Sequence, residues 1–324
     1  MYLKKYVPVV LGLLLVVASC QPDDGNFQVA PERDRTEQQV VDNDSLLGYF
    51  ETHYYNASTF DGSTDFTIDD IVITELPKDD DGNYLPLPDP DNNRLLIDEL
   101  NDVNGILKAY NTVLLDIDYV YYVMKINQGG GEGSPSFADD IRVRYSGNLQ
   151  DASVFDSAVT PVDFDLVNLV PGWSRVLPDF NEAFDFSTVG GDVTYTDYGL
   201  GVMFLPSGLG YFSSSQLGVP VYSNLIFKFE LLQTEENDHD GDGIPSYKED
   251  FDGEGITGSD MNVFNDDTDN DATPNFLDVD DDGDGVLTIN EDADGDGDPT
   301  NDIGVNGIPR YLDPEETESF EEED

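Results

Sequence analysis

The chain has 324 residues and carries 69 Asp and Glu against 14 Lys and Arg, a formal net charge of −55. That balance excludes nucleic acid as a partner, because phosphate binding needs Lys and Arg to displace condensed counterions. The length gives room for about two domains of the usual ~100–200 residues, and Cys20, the single cysteine, excludes an internal disulfide.

Taken in chain order, Lys4 and Lys5 precede an apolar run from Val7 to Val17 and then Ala18-Ser19-Cys20. This predicts an export signal over residues 1–19, because the run is too short to span a bilayer as a helix. Val17-Ala18-Ser19-Cys20 resembles the lipobox of bacterial lipoproteins, whose cysteine is lipidated and becomes the mature N-terminus; the alternative is an ordinary cleaved signal with Cys20 incidental. Gln21-Pro22-Asp23-Asp24 resembles the acidic surface-export signals behind the lipid cysteine in Bacteroidota lipoproteins. Together these imply a lipid membrane partner through Cys20 and an outer-membrane lipoprotein, facing the periplasm or displayed at the cell surface.

Residues 20–45 are polar with few large apolar side chains, which predicts a tether. Residues 46–115 are expected to form an extension packed on the next domain, with a short helix from Leu46 to Tyr55, a short strand over Ile71–Thr74 and a loop from Pro86 to Asn93. Strand signals then dominate residues 116–233. Val120, Tyr122, Met124 and Ile126 share one face, and Ile141-Arg-Val-Arg-Tyr145 alternates apolar with charged, so both segments are expected to be half-buried antiparallel strands. Later strands are expected at Val202–Leu205 and Leu225–Leu231, with one helix starting near Trp173 and kept short or kinked by Pro178. The predicted class is α+β, an antiparallel sheet folded around one short helix.

Four stretches in this region carry the chemistry: Val143-Arg-Tyr-Ser-Gly147, Val154-Phe-Asp-Ser157, Val170-Pro-Gly-Trp173 and Leu225-Ile-Phe-Lys-Phe229. With Tyr211 they suggest one aromatic pocket made by Tyr145, Phe155, Trp173 and Phe227, with Asp156 as its charged group. Any one of these aromatics alone reads as a core residue; the set carries the inference. In order and spacing the set resembles FKBP-type peptidyl-prolyl cis-trans isomerases, over roughly Asp118 to Leu232. The resemblance implies an FKBP-like fold with the Trp173 indole as floor and the other aromatics as walls. It also implies polar contacts from Asp156 and Tyr211, and substrate contacts from Leu169, Val170 and Val219, the last standing before Pro220. Three departures stand out: Val162 where the family has a second pocket Phe, Phe212 where a glycine follows the loop tyrosine, and an insertion at Gly190–Leu200.

Such a pocket needs no nucleophile and no general base. Rotation about X-Pro is slow because it breaks amide resonance against a barrier of about 18–20 kcal/mol. An apolar site that strips water from the proline carbonyl and holds the twisted amide acts by differential binding. The implied function is prolyl isomerisation of proline-containing polypeptides during folding of exported proteins, with no cofactor for that step. Two alternatives remain open: a non-catalytic proline-binding or chaperone module, and a calcium-stiffened surface adhesion protein.

Beyond residue 233 the composition changes to repeated Asp, Asn and Gly, and residues 235–324 hold 33 acidic and two basic residues, so −31 of the charge of −55. In Asp238–Glu249, carboxylates fall at positions 1, 3, 5 and 12 (Asp238, Asp240, Asp242, Glu249), Gly243 is sixth and Ser246 ninth. Asp280–Glu291 repeats this with Asp280, Asp282, Asp284, Gly285, Thr288 and Glu291. This is the ligand spacing of an EF-hand calcium loop, in which Ile244 and Val286 at position 7 supply backbone carbonyls. Asp267–Asp278 is a weaker copy with Ala272 in the glycine place, and Asp292–Gly297 begins a copy lacking the acid at position 12. Without evident helix pairs, residues 234–313 resemble thrombospondin type 3 repeats, which implies structural Ca2+; the alternative is a disordered acidic tail. His239, at position 2, is expected to point outward, and residues 314–324 are expected to be a disordered acidic end. His53 and His239 stand apart from other soft ligands, so no zinc site is expected.

Overall fold

The computed structural model describes residues 31–63, 65–251 and 260–320. The expected signal, Cys20 and the acidic motif at 21–24 lie outside them. No helix among the described residues is long and apolar enough to cross a membrane.

Helix α1 spans Arg35–Thr52, so the segment expected to be a tether is helical from residue 35 onward. Asp34 caps it, its side chain accepting from the Glu37 amide at 3.0 Å. Composition conceals this helix because its first half buries polar groups: Gln38 donates to Asp42 at 2.6 Å, and Asp42 accepts from both the amide and the hydroxyl of Ser207. Only the second half buries apolar residues, Leu46, Tyr49 and Phe50. After it come β1 (His53–Tyr55), β2 (Ile73–Glu75), β3 (Arg94–Leu95) and α2 (Leu96–Asn101), with the three strands in the order β2-β1-β3.

The main sheet is antiparallel and six-stranded. Its members are β4 (Leu107–Leu114), β5 (Ile117–Asn127), β6 (Asp140–Asn148), β7 (Val154–Asp165), β10 (Gly199–Leu205) and β11 (Leu225–Glu235), ordered β4-β5-β10-β11-β6-β7. β4 and β5 join through Leu115 and Asp116, both at positive φ (53° and 60°), as a two-residue hairpin turn requires. The boundary drawn at residues 115–116 therefore falls inside a hairpin, and the extension supplies the sheet's edge strand. Helix α3 (Pro171–Val176) lies against one face, where Val123, Val143, Tyr145, Leu205, Phe227 and Phe229 meet Trp173, Val176 and Phe180. On the other face α1 covers Tyr122, Met124, Val202, Phe204 and Ile226. β5 is thus buried on both sides, where alternation alone predicts one, because the second cover comes from a helix more than 60 positions away in sequence.

The insertion is a hairpin of β8 (Asp185–Val189) and β9 (Asp192–Thr196) turning at Gly190-Gly191, a few residues earlier than Gly190–Leu200. The acidic region is a chain of short 3₁₀ turns at Ser246–Glu249, Val263–Asn265, Asn275–Leu277, Thr288–Glu291, Pro299–Asn301 and Arg310–Leu312. It docks through Val263, Phe276 and Tyr247 onto Phe137, Ala138 and Val167. Part of the segment expected to be disordered is folded back. Glu316 pairs with Arg310 at 2.9 Å and accepts the Val305 amide, and the Phe320 amide donates to the Asn290 carbonyl at 2.8 Å. Those partners lie outside the acidic run, so its composition alone hides them.

Candidate functional site

The sheet and α3 bring the aromatic residues to one place. Trp173 begins α3 and meets Tyr145 of β6 at 5.7 Å between ring centroids and Phe227 of β11 at 5.3 Å; Phe155 of β7 meets Phe227 at 5.5 Å. Tyr145, Trp173, Val219 and Phe227 are buried in one cluster, with Phe155, Leu169, Val170 and Tyr211 half-buried against it. Phe155 and Asp156 are sequence neighbours, so a regular strand would point them to opposite faces. A bulge removes the conflict: Gly147 pairs with Asp156 and Asn148 with Val154, leaving Phe155 as an extra residue. Gly147 is needed below it, because a β-carbon there would stand 2.7 Å from Phe155 Cζ and 2.9 Å from Phe227 Cε1.

The Tyr145 hydroxyl donates to Asp156 Oδ2 at 2.6 Å. Burial pushes the Tyr145 phenol well above its usual range, and the bond to Asp156 and its charge add to that, so the phenol stays a donor. Tyr211 is pushed up by burial and then by the Asp156 charge, which puts Asp156 between the two phenols electrostatically. A further Phe joins the cluster. Phe164, two residues beyond Val162 on β7, lies tilted 5.6 Å from Tyr145 and edge-on 6.3 Å from Trp173, and a one-face register along β7 would have found it. Phe212 is buried under the Arg35 guanidinium at 3.9 Å and edge-on to Tyr222 at 5.0 Å. Beside Leu169 and Tyr211 opens a cleft of about 410 Å³, walled across by Arg175, Met261, Val263 and Phe264. Spacing offered no sign that the acidic region would border this cleft.

The acidic region repeats one hydrogen-bond scheme in the loops starting at Asp238, Asp267, Asp280 and Asp292. The first carboxylate accepts the amide of position 6. The third accepts that of position 5, and the fifth that of position 7. Position 6 has positive φ in all four, at Gly243, Ala272, Gly285 and Gly297. Each of these carboxylates holds the backbone with an oxygen, and several keep the other buried without a hydrogen-bond partner: Asp240, Asp242, Asp280, Asp282 and Asp284. Ligand oxygens of Asp238, Asp240 and Asp242 lie within 4.8 Å of one another, as do those of Asp280, Asp282 and Asp284.

Position 9 also has a partner within its own loop. Ser246 Oγ accepts the His239 amide, Asn275 Oδ1 accepts the Thr268 amide, and Thr288 Oγ1 accepts the Asp281 amide. These side chains close the loop by holding the N–H of position 2. His239 turns inward, its Nε2 3.2 Å from Asp165 Oδ2. Ile244 is buried among Phe251 and Tyr311, and Val286 is half-buried. Burial and the charges of Asp281, Asp242, Asp240 and Asp238 push Glu249 up to about 11; burial with Asp242 and Asp240 pushes Asp281 to about 9, and burial with Asp282, Asp284 and Asp280 pushes Glu291 to about 8. So many buried carboxylates facing one another fit a hard cation with oxygen ligands. The acids at Asp281 and Asp302 escape the twelve-residue pattern: Asp281 groups with Asp242 and Glu249, and Asp302 with Asp292 and Asp294.

The domain is mixed α/β, with an antiparallel sheet, few helices and a convergent aromatic cluster. In sequence, 125 residues (38% of the chain) are 32% identical to the FKBP-type peptidyl-prolyl cis-trans isomerase FkpA of Aeromonas hydrophila, covering 40% of that protein. Another 112-residue match is 34% identical to the FKBP-type 22 kDa peptidyl-prolyl cis-trans isomerase of Escherichia coli strain K12, covering 33% of this chain and 47% of that one. The chain thus spans less than half the length of these curated relatives. The crystal structure of FkpA from Escherichia coli matches with a TM-score of 0.30 at 26% identity, over 36% of this chain and 48% of that chain. Residues 239–302 match a family described as BamM C-terminal. About a third of the chain is therefore homologous to FKBP-type isomerases, and the acidic loops fall in a separate family match.

Proposed function

We propose that the protein is a peptidyl-prolyl cis-trans isomerase that acts on proline-containing segments of exported proteins, lipid-anchored through Cys20 in the outer membrane, with C-terminal repeats of thrombospondin type 3 kind ordered by calcium. The observation that carries the isomerase reading is the convergence of Tyr145, Phe155, Trp173 and Phe227 around the Tyr145–Asp156 bond. A proline ring packs on the partly exposed side of this cluster, beside Phe155 and Tyr211, where water is excluded from its carbonyl. Asp156 and Tyr211 stand at the edge as polar contacts for the twisted amide, and each ~1.4 kcal/mol of preference for that state is a tenfold gain in rate. The homology over a third of the chain supports this reading.

The test is cis/trans exchange of a prolyl peptide with the full chain and its Trp173→Leu variant. Acceleration by the wild type and its loss in a folded variant are expected; no acceleration by a folded wild-type chain sinks the activity and leaves a proline-binding module. For the anchor, Cys20→Ser is expected to abolish incorporation of a labelled fatty acid, and unchanged labelling would overturn it. Calcium has a structural part here: loops of extracellular type bind at ~10⁻⁴–10⁻³ M, and tenfold excess over that constant stabilises each ordered loop by about 1.4 kcal/mol.

A further inference from the structure

Glu249 closes the first loop at position 12, is fully buried, and has neither carboxylate oxygen hydrogen-bonded among the described residues. Asp281 is 2% exposed with both oxygens equally unpartnered, and Asp242, at 1%, keeps Oδ2 free. Ligand oxygens of all three lie within 4.8 Å of one another. Asp281 belongs to another loop, at the position 2 that the twelve-residue pattern leaves without a ligand role. Its own amide is held by Thr288, which fixes its backbone while the side chain enters the first loop. Three carboxylates buried against each other, offering five oxygens with no donor, are costly unless a cation compensates them.

We propose that Asp281 is a ligand of the calcium ion held by the first loop, so that Asp242, Glu249 and Asp281 form one inter-loop site tying residues 238–249 to residues 280–291. The inference rests on the calcium reading above and adds the ligand that crosses between loops. One oxygen each from Asp238, Asp240, Asp242 and Asp281 with two from Glu249 makes six, within the six to eight that calcium takes, and an all-oxygen set without His or Cys suits calcium over zinc. A tandem of independent loops would articulate freely. A shared ion makes the first loop and the 280–291 loop bind and order together.

The test uses the full chain with calcium itself, counting bound ions by equilibrium dialysis with elemental analysis. Asp281→Asn, Glu249→Gln and the double variant are compared, and Asp294→Asn serves as a control in the fourth loop. The proposal expects Asp281→Asn and Glu249→Gln each to lose the same single ion, or to weaken it at least tenfold, and the double variant to lose no more than either. Losses that add in the double variant, or an Asp281→Asn chain that keeps every ion at wild-type affinity, would overturn it. If Asp281→Asn loses more than one ion, Asp281→Ser decides: a multiple loss there also overturns the shared site, and a single loss supports it. A wild-type chain that binds no calcium refutes the calcium reading itself, a result distinct from those outcomes.

Discussion

Gly147→Ala probes the pocket from below. The added methyl group would stand 2.7 Å from Phe155 Cζ and 2.9 Å from Phe227 Cε1, where carbon contacts rest at about 3.5–4.0 Å. Both rings stand inside that spacing, so restoring it takes shifts of roughly 1 Å. Phe227 is 3% exposed and paired on both sides, to Met203 and Gly147, so the half-buried Phe155 gives way. Overpacking of this kind costs about 1–3 kcal/mol. At ~2–4 °C per kcal/mol for a domain of 150–250 residues, the melting temperature falls by several degrees. With one pocket wall displaced, kcat/KM for a prolyl peptide falls about tenfold, the equivalent of ~1.4 kcal/mol. Peptide exchange measured alongside a melt followed by Trp173, the single tryptophan, reads both effects. A lower melting temperature with unchanged kcat/KM would show that these rings pack without touching substrate; no change in either would refute the close approach itself.

Three further outcomes follow from the same geometry. In a double-mutant cycle, Tyr145→Phe and Asp156→Asn are expected to couple by about 1 kcal/mol in kcat/KM, below the range of a fully buried charged hydrogen bond because Asp156 is exposed; additivity would argue that the bond does not act on substrate. Ala272 holds φ at +80° in a place where three sister loops have Gly, so Ala272→Gly is expected to stabilise that loop by about 1 kcal/mol, read as stronger calcium binding, and a weaker or equal affinity counts against it. A calcium chelator is expected to open residues 235–313 to protease while the sheet domain keeps its cooperative melt; resistance unchanged by chelation would contradict calcium-dependent order.

The sheet domain was legible because period-two patterns and motif order report on neighbours within a strand. What stayed hidden is non-local. α1 buries Gln38, Gln39 and Asp42, whose polarity reads as solvent exposure until Ser207, far along the chain, is placed beside Asp42. The acid spacing at Asp238 and Asp280 is local and so legible, whereas the amide bonds that Ser246 and Thr288 accept from position 2 carry no signal in it. Asp281 carries no local signal at all: its partners Asp242 and Glu249 come from another loop.

Position 2 of the loops explains how two unlike halves form one body. Positions 1, 3, 5 and 12 are constrained by the spacing of ligands, whereas position 2 is released from it. The chain uses that freedom for joining. At position 2, His239 meets Asp165 at the end of β7 and packs edge-on against Phe276, while Asp281 reaches back to Glu249. Asp165 also accepts the Val167 amide, and the turn it caps leads through Leu166, in the pocket cluster, to Leu169 and Val170. Any influence of a cation in the acidic loops on the aromatic cluster therefore has a short physical route, through His239 and the Phe137–Val263–Phe276 cluster to the turn beneath Leu169. Such an influence would alter the cleft lined by Tyr211 and Phe264 more than the Tyr145–Phe227 contact, which the paired strands β6 and β11 hold; α3 is tied more closely to the acidic region, because Arg175 donates to the Asp260 carbonyl at 3.1 Å.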